Sequence, residues 1–500
     1  MTSSRVRLAI GLVLTLAIVG PLGWMWWDSR LPSSYSVMEM GELDLGGGPA
    51  ATHGSHHGEK HHSGSASAVS AAVGIDDLDT DSARKADVVV ELTARQGKVE
   101  LASGKTFDGY SLNGTSPGPL IEATVGQLVE VRLHNENVKD GVALHWHGVD
   151  VPNAQDGVAG VTQDAVKVGE DYVYRWIAPD AGTFWYHSHQ QSHPQVAGGL
   201  LGSIIVHPEK PEAGVRDVIA LTHLYEGQST VNGDSSYQHV QAQPGERVRV
   251  RVVNTDNGMQ SVWPSVPFVL RAVDGFDIIK PTEVTDRSVG VPVGGRADLE
   301  VRVPEDGSAV RIGMLGDVGL VIGPEGSEAD KVTAPEKQLD LIDYGSPATV
   351  DFATAKPDRK FKYSIGRRPG FIDGRPGLWW SVNGKLYPDM PMQMVSEGDV
   401  VRMRISNHSG EDHPMHLHGH HAVVLARDGV KASGSPWWFD SLEVQNGEAY
   451  DIAFLADNPG IWMDHCHHLK HARQGMVTHF MYDGVTTPYR LGDATGNVPE

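Results

Sequence analysis

A ten-residue pattern that occurs three times in the 500-residue chain is the feature that most constrains the fold. Each copy has the spacing Gly-x2-Val-x2-Arg-x2-Asn and predicts a turn followed by an alternating strand. The copies are residues 126–135, 245–254 and 398–407. A second pattern, a turn before a short apolar strand, follows each copy at residues 179–182, 304–307 and 458–460. Together the repeats predict three copies of one β module.

The predicted fold class is all-β. Helical periodicity is nearly absent after residue 87, and the 58 Gly and 29 Pro favour many turns between short strands. Short strands with such turns are typical of Greek-key β-sandwiches. The predicted domain boundaries are residues 87–208, 209–345 and 346–490.

The N-terminus carries a different signal. Residues 8–27 form a mostly apolar run of 20 residues, long enough to cross a bilayer as a helix. Arg5 and Arg7 precede the run, which predicts a cytoplasmic start and an extracytoplasmic remainder. A cleaved signal peptide is the alternative. Because no clear small-x-small site follows the run, we favour an uncleaved membrane anchor over residues 1–30.

Residues 31–86 are rich in Gly, Ser, Ala and Asp and predict a flexible tether. Five histidines in this segment either gather metal or are merely tolerated in a polar linker: His53, His56, His57, His61 and His62. Lys and Arg number 41 against 63 Asp and Glu, and this net charge of −22 argues against nucleic-acid binding. A single cysteine, Cys466, excludes an intramolecular disulfide.

Four His-x-His pairs point to a metal site. In a strand, residues i and i+2 project from the same face, so each pair presents two imidazoles together. The pairs are His145 and His147, His187 and His189, His416 and His418, and His465 and His467. They stand at matching places in the first and third modules, and the second module has Ile312 and Met314 at the places of the second pair of each. The fold therefore does not need these histidines, which favours a metal-binding role.

The surroundings of the last pair, His465 and His467, predict a second metal site. Cys466 lies between two histidines of one pair, so its side chain points to the opposite face. With His413, His471 and Met476 it supplies two imidazoles, a thiolate and a thioether. That donor set is typical of a blue-copper electron-transfer centre. An inert buried thiol is the alternative, and the flanking histidines argue against it.

On four motifs the chain resembles the three-domain, laccase-like multicopper oxidases over residues 87–490. The motifs are HWHG (145–148), HSHQ (187–190), HPMHLHGH (413–420) and HCHHLKHARQGM (465–476). The resemblance implies three cupredoxin-like domains and four copper ions: one type 1, one type 2 and two type 3. It implies one-electron oxidation of a phenol, an aromatic amine or a metal ion, coupled to four-electron reduction of O2 to water.

The resemblance also implies a ligand for each copper. The type 1 ligands would be His413, Cys466, His471 and axial Met476. The type 2 ligands would be His145 and His416. The type 3 ligands would be His147, His187, His189, His418, His465 and His467.

Proton delivery to the cluster is expected to use a carboxylate. Asp156 lies nine residues after His147, where related bacterial members have an acid, and a plain Asp-Gly turn is the alternative. Ala472 stands where several bacterial members carry a second proton-carrying Glu. Asp464 is one candidate to replace it.

Two other functions remain as alternatives to the oxidase. A non-catalytic extracytoplasmic copper store would explain the His-rich segment, although a store does not need a thiolate joined to a histidine cluster. A copper nitrite reductase uses related domains but does not require four His-x-His pairs. The sequence leaves open the reducing substrate and the oligomeric state.

Overall fold

The computed structural model describes residues 2–49, 72–80 and 83–500. Helices are few. They cover Thr2–Asp28, Ser192–Ala197, Asp351–Thr354 and Leu469–Arg473, with 3-10 turns at Val37–Glu39, Ile75–Asp77 and Asn153–Gln155. Most of the remaining regular structure is β, which confirms the predicted fold class.

The first β-sandwich pairs two four-stranded sheets around one core. One sheet has the order Thr106–Leu112, Val88–Glu100, Leu128–Asn135 and Asp171–Ile177. The other has the order Ile121–Thr124, Leu201–His207, Gly182–Ser188 and Leu144–His147. Side chains of both sheets, including Leu133 and Trp146, meet in a single buried cluster.

The second β-sandwich is larger. Its seven-stranded sheet contains Gln228–Val231, Val215–Tyr225, Arg247–Asn254, Arg296–Arg302, Phe268–Val273 and Phe276–Asp277, with Glu283–Val284 pairing to Phe268–Val273. Its five-stranded sheet contains Tyr237–Gln241, Val318–Gly323, Val310–Met314, Gln260–Pro264 and Val289–Val291. Ile312 and Met314, the counterparts of a histidine pair, are buried in its apolar core.

The third β-sandwich carries the long hairpin and the cysteine. Its seven-stranded sheet contains Arg375–Val382, Arg359–Ile372, Val400–Asn407, Ala449–Leu455, Ala422–Arg427 and Val430–Lys431, with Trp438–Phe439 pairing to Ala422–Arg427. Its six-stranded sheet contains Leu43–Asp44, Met392–Val395, Val477–Tyr482, Ile461–Cys466, His413–Leu417 and Ser441–Val444. A separate short pair joins Val73–Gly74 to Val485–Thr486.

The threefold repeat has a clear structural role. Its glycine opens the strand from a turn with positive φ, as Gly126 does at +82°, and its valine is buried. Its asparagine is fully buried and ties down the loop after the strand. Asn135, for example, donates from Nδ2 to the carbonyls of Val138 and Val166. The repeat therefore marks the start and end of the same strand in each sandwich.

The structure corrects the prediction of a flexible tether over residues 31–86 in the parts of that segment that it describes. Val37, Met40 and Ile75 are buried in the core of the third sandwich. Leu43–Asp44 adds a parallel strand beside Met392–Gln393. Burial of a few apolar side chains in the core of the third sandwich is enough to fix this otherwise polar segment on its surface. The histidines at positions 53, 56, 57, 61 and 62 lie outside the described residues.

Most of the N-terminal helix is not packed against the sandwiches. Residues Arg5–Asp28 are long and apolar enough to cross a membrane, by length and composition. Its apolar side chains from Leu8 to Val19 are largely exposed. Such exposure is unfavourable in water and is relieved in lipid.

Candidate metal centres

Antiparallel pairing brings the histidine pairs together within each sandwich. In the first, His145 stands opposite His187 on neighbouring strands. In the third, His416 stands opposite His465. Each pair of strands thus presents four imidazoles to one side, although the pairs are far apart in sequence.

The two sets of four imidazoles then face each other across the boundary between the first and third sandwiches. Two ring stacks join them: His147 on His416 at 3.7 Å between centroids, and His145 on His418 at 3.9 Å. The eight side chains are at most 2% exposed. We call this set the eight-histidine pocket.

Within the pocket, three groups of three imidazoles each place a nitrogen from every member within 4.8 Å of the others. The groups are His145, His147 and His416; His147, His187 and His467; and His189, His418 and His465. All of the predicted type 2 and type 3 residues are therefore brought together. Groups of this size and spacing can each hold one metal ion.

The nitrogens of this pocket fit a bound metal. Among the described residues, the buried Nδ1 of His147 and the Nε2 atoms of His187 and His467 have no hydrogen-bond partner. Burial lowers the pKa of all three imidazoles well below the usual value, and neighbouring imidazoles lower it further. Neutral rings with free lone pairs, shielded from water, are suited to copper.

Asp440 fixes two of the rings from outside the pocket. Its Oδ1 lies 3.1 Å from Nε2 of His147, and its carbonyl lies 2.9 Å from Nδ1 of His416. These contacts leave the opposite nitrogen of each ring facing inward. A carboxylate behind a ligating imidazole sets its orientation and raises its basicity.

The second sandwich contacts the carboxylate of Asp440 and so contributes indirectly to the pocket. Arg296 donates from Nη1 to Asp440 Oδ1 at 2.7 Å and from Nη2 to Oδ2 at 2.5 Å, and both residues are buried. Asp274 accepts from the backbone N–H of Arg296 at 2.8 Å, and His421 Nε2 lies 3.2 Å from Asp440 Oδ2. Sequence reasoning missed all four residues because none belongs to a His-x-His motif.

The predicted Asp156 lies on the other side of the pocket and is fully buried. Its Oδ2 is 3.0 Å from Nδ1 of His418, and its Oδ1 is 3.1 Å from Nδ1 of His145. The two Nε2 atoms consequently point inward, where that of His145 lies 3.4 Å from Nε2 of His416. Asp464, the second candidate acid, instead has Thr478 as its side-chain hydrogen-bond partner, and burial raises its pKa to about 7.

Glu500 is a further acid at the pocket that sequence reasoning missed. Its Oε1 lies 3.1 Å from His465 Nδ1 and 3.8 Å from His189 Nε2, while Ser192 Oγ donates to its Oε2. Burial raises the pKa of Glu500 to about 8. No local signal marks this residue, because the backbone brings it to the pocket from a segment distant from every histidine motif.

The predicted cysteine site forms a second, separate group. Cys466 Sγ lies 3.5 Å from His413 Nδ1 and 3.7 Å from His471 Nδ1, and the two nitrogens are 3.2 Å apart. Met476 is buried beside them, and its carbonyl accepts from the backbone N–H of Cys466 at 3.2 Å. We call these four residues the cysteine pocket.

The outer nitrogens of the cysteine pocket have partners. His413 Nε2 lies 2.8 Å from Ser409 Oγ, and His471 Nε2 lies 3.3 Å from Glu411 Oε2. Burial lowers the pKa of both imidazoles to about 3, and burial raises the pKa of the Cys466 thiol. The two Nδ1 atoms are therefore free to share a soft metal with the sulfur.

This pocket lies close to the surface. The ring of Trp380 packs 4.4 Å from that of His471, and Arg367 lies over Trp380 at 3.9 Å. Arg367 also forms an ion pair with Glu411, whose side chain is 49% exposed. A reductant in solvent can thus approach His471 more closely than any ring of the eight-histidine pocket.

Comparisons with known proteins agree with this geometry. Two sequence profiles described as "Multicopper oxidase" match residues 93–211 and 352–484. Multicopper oxidase MmcO of Mycobacterium tuberculosis is 24% identical over 79% of this chain and 87% of its own. Laccase-1 of Botryotinia fuckeliana is 27% identical over 76% of this chain and 79% of its own.

A solved structure gives the same result. The multicopper oxidase of Pseudomonas thermotolerans superposes with a TM-score of 0.65 and 25% identity, over 80% of this chain and 100% of that one. Copper is the family's metal, and the buried histidine groups are compatible with it. The chain belongs to the multicopper oxidase family and is an oxidoreductase that uses O2.

Proposed function

We propose that the protein is a membrane-anchored, extracytoplasmic multicopper oxidase with four coppers. It oxidises a phenol, an aromatic amine or a metal ion one electron at a time and reduces O2 to water. One observation carries the proposal: Cys466 belongs to the cysteine pocket, and the residues covalently bonded on either side of it belong to the eight-histidine pocket. The two pockets are thereby joined through a single peptide segment.

We assign the ligands by their positions in the two pockets. The cysteine pocket holds the type 1 copper through His413, Cys466, His471 and Met476. His145 and His416 hold the type 2 copper. The type 3 pair is held by His147, His187 and His467 on one side and by His189, His418 and His465 on the other. When bound, these coppers supply one-electron redox chemistry at one pocket and four-electron reduction of O2 at the other.

The protein's own residues keep the pockets ready for this chemistry. Asp440 and Asp156 hold four imidazoles with one nitrogen inward, so little reorganisation is needed when charge changes. Burial excludes bulk water from the eight-histidine pocket. Protons from solvent must therefore be relayed into the pocket by internal groups, and a carboxyl group is suited to this. Asp156, with Oδ2 at 3.0 Å from His418 Nδ1, is the group we propose for this transfer.

We retain residues 87–208, 209–345 and 346–490 as the proposed domains, because each range contains most residues of one of the three large apolar cores. We also propose that the N-terminal helix anchors the protein and that the sandwiches lie outside the cytoplasm. The length of the helix and its exposed apolar side chains support an anchor, and Arg5 and Arg7 before it support this orientation.

Copper analysis and oxygen uptake on the same preparation test the function. The proposal expects four coppers per chain and O2 consumption with a phenolic dye, Fe(II) or Cu(I), with water as the product. Bound copper without oxygen consumption for any donor would instead support a copper store. A single bound copper per chain would contradict the assignment of the eight-histidine pocket.

A further inference from the structure

The N-terminal helix is tied to one particular element of the third sandwich. The strands Arg359–Ile372 and Arg375–Val382 form a long hairpin, whose two-residue turn is Asp373–Gly374. Both turn residues have positive φ, at 46° and 70°, as a tight Asp-Gly hairpin turn requires. We call residues 366–380 the outer hairpin.

Three contacts join this turn to the end of the helix. The backbone N–H of Gly374 donates to Ser29 Oγ at 3.1 Å, and Arg30 pairs with Asp373 at 3.4 Å. Trp26 also packs against Gly374, so closely that a Cβ added to this glycine would lie 2.9 Å from the Nε1 of Trp26. The helix ends at Asp28, so Trp26 lies in its last turn and Ser29 and Arg30 follow it directly. When the helix spans a bilayer, the turn therefore lies at the level of the lipid headgroups.

The outer hairpin has the chemistry of a membrane-contacting surface. Arg368 and Arg375 are exposed and form no ion pair within the described residues, although the chain as a whole has a charge of −22. Leu378 is 62% exposed, and no large apolar side chain outside the helix is more exposed in the part of the chain that the structure describes. Strand alternation places Leu378 on one face of the hairpin and both arginines on the other, so a hairpin that enters the headgroup layer turn first presents basic and apolar side chains together to anionic lipid.

The face of the outer hairpin that carries Leu378 leads to the cysteine pocket. Leu378 stands opposite Pro369, and Trp380 on the same strand stands opposite Arg367. Trp380 packs against both imidazoles of the pocket, with ring centroids 4.7 Å from His413 and 4.4 Å from His471. Trp380 lies six positions after Gly374 along the strand, a span of about 20 Å.

We propose that the outer hairpin docks onto the anionic headgroups of the bilayer that the N-terminal helix spans, with Leu378 inserted and Arg368 and Arg375 bound to phosphate. The inference rests on the anchoring part of the proposed function. It adds a second membrane contact, independent of copper, that fixes how the third sandwich faces the lipid. The electron-accepting side of the protein is then held close to the membrane.

A fluorophore on the hairpin tests this in the full-length, copper-loaded protein. Leu378→Cys would be labelled with an environment-sensitive dye, which the buried Cys466 cannot react with. Leu315→Cys, at a leucine of the second sandwich that is 46% exposed, is the matched control. Both proteins are reconstituted into vesicles of phosphatidylcholine, with or without phosphatidylglycerol, that carry a doxyl quencher near the headgroup.

The proposal expects quenching at position 378 but not at 315, and more of it with phosphatidylglycerol. Replacing Arg368 and Arg375 by Gln should lower the docked-to-undocked ratio about fivefold for each arginine. Equal quenching at the two positions would overturn the proposal. Quenching at position 378 that depends neither on the charge of the lipid nor on the two arginines would also overturn it. Resistance to carbonate extraction reports the helix anchor separately, and oxygen uptake with a soluble donor reports the oxidase.

Discussion

The two pockets differ in what surrounds them, and the difference follows the chemistry of each. Three carboxyl groups border the eight-histidine pocket, those of Asp156, Asp440 and Glu500. The cysteine pocket has an aromatic ring, a hydroxyl group and one half-exposed acid around it instead. Oxygen reduction consumes protons, whereas electron uptake at the cysteine pocket need not. Of the two pockets, the one where protons are needed is therefore the one bordered by three carboxyl groups.

The pockets also differ in how they are built. Residues of the third sandwich alone form the cysteine pocket, whereas the eight-histidine pocket exists only between two sandwiches. The second sandwich has no histidine in either, yet its Arg296 holds the carboxylate that orients His147. A module without ligands thus helps to position the metal site.

The largest expected effect comes from a variant that disables the cysteine pocket and leaves the eight-histidine pocket intact. Cys466→Ser removes the thiolate, so the blue absorbance and turnover should be lost while the eight imidazoles keep their own partners. Copper content should fall by one ion per chain, measured by elemental analysis beside the visible spectrum. A variant that stays blue would show that Cys466 is not the type 1 ligand.

The next effect should appear only in the eight-histidine pocket. Asp440→Asn leaves the buried Arg296 with a weaker partner and loosens His147 and His416. We expect metal affinity there to fall about 10–100-fold while the blue absorbance persists. Electron paramagnetic resonance of the type 2 signal and copper content would measure this.

Asp298→Asn is the matched control for Asp440→Asn. It breaks a comparable buried pair in the second sandwich, where Asp298 accepts from Arg251 at 2.7 Å. Both variants should lose stability, since each leaves a buried arginine partly unpaired. Equal copper loss in the two would mean that Asp440 acts through stability alone.

Much of this could be predicted from sequence because the signals are local. The His-x-His pairs follow from strand alternation, and the turn and strand of each repeat follow from residues within ten positions. The resemblance to the multicopper oxidases, the all-β fold and the use of copper are confirmed. Each of these features depends on residues that lie close together in the sequence.

The residues that could not be predicted reach the site through tertiary structure. Arg296 and Glu500 lie far from every motif, and only the packing of sandwiches places them behind the imidazoles. The prediction of a flexible tether over residues 31–86 was wrong, in the parts that the structure describes, because composition alone was misleading. The composition of that segment is polar, but Val37 and Met40 have places in the third core that no local pattern reveals.

A smaller effect should distinguish proton delivery from electron uptake. Asp156→Asn keeps hydrogen-bonding capacity near His145 and His418 but removes the acid. Reoxidation of the reduced protein by O2 should slow about 100-fold. Anaerobic reduction of the blue absorbance should change little, and stopped-flow spectroscopy follows both. Equal slowing of the two steps would contradict a proton role for Asp156.

The smallest effect concerns a buried histidine that holds no metal. His223 of the second sandwich is buried, with Nδ1 at 2.9 Å from Thr255 Oγ1, and burial lowers its pKa to about 4. The unfolded chain therefore binds one more proton than the folded chain between about pH 4 and 6.5. Stability should rise with pH across that window, with a slope from this residue of up to about 1.4 kcal/mol per pH unit.

His223→Gln should flatten this slope, measured as the melting temperature by calorimetry from pH 4.5 to 7. The flattening should be the same with and without copper, because the protein alone keeps this ring neutral. In the eight-histidine pocket, by contrast, Nδ1 of His147 and Nε2 of His187 and of His467 have no partner among the described residues, so bound copper should reduce the pH dependence that these histidines cause. A His223→Gln effect that changes with copper loading would show that the second sandwich is coupled to the metal sites beyond Arg296.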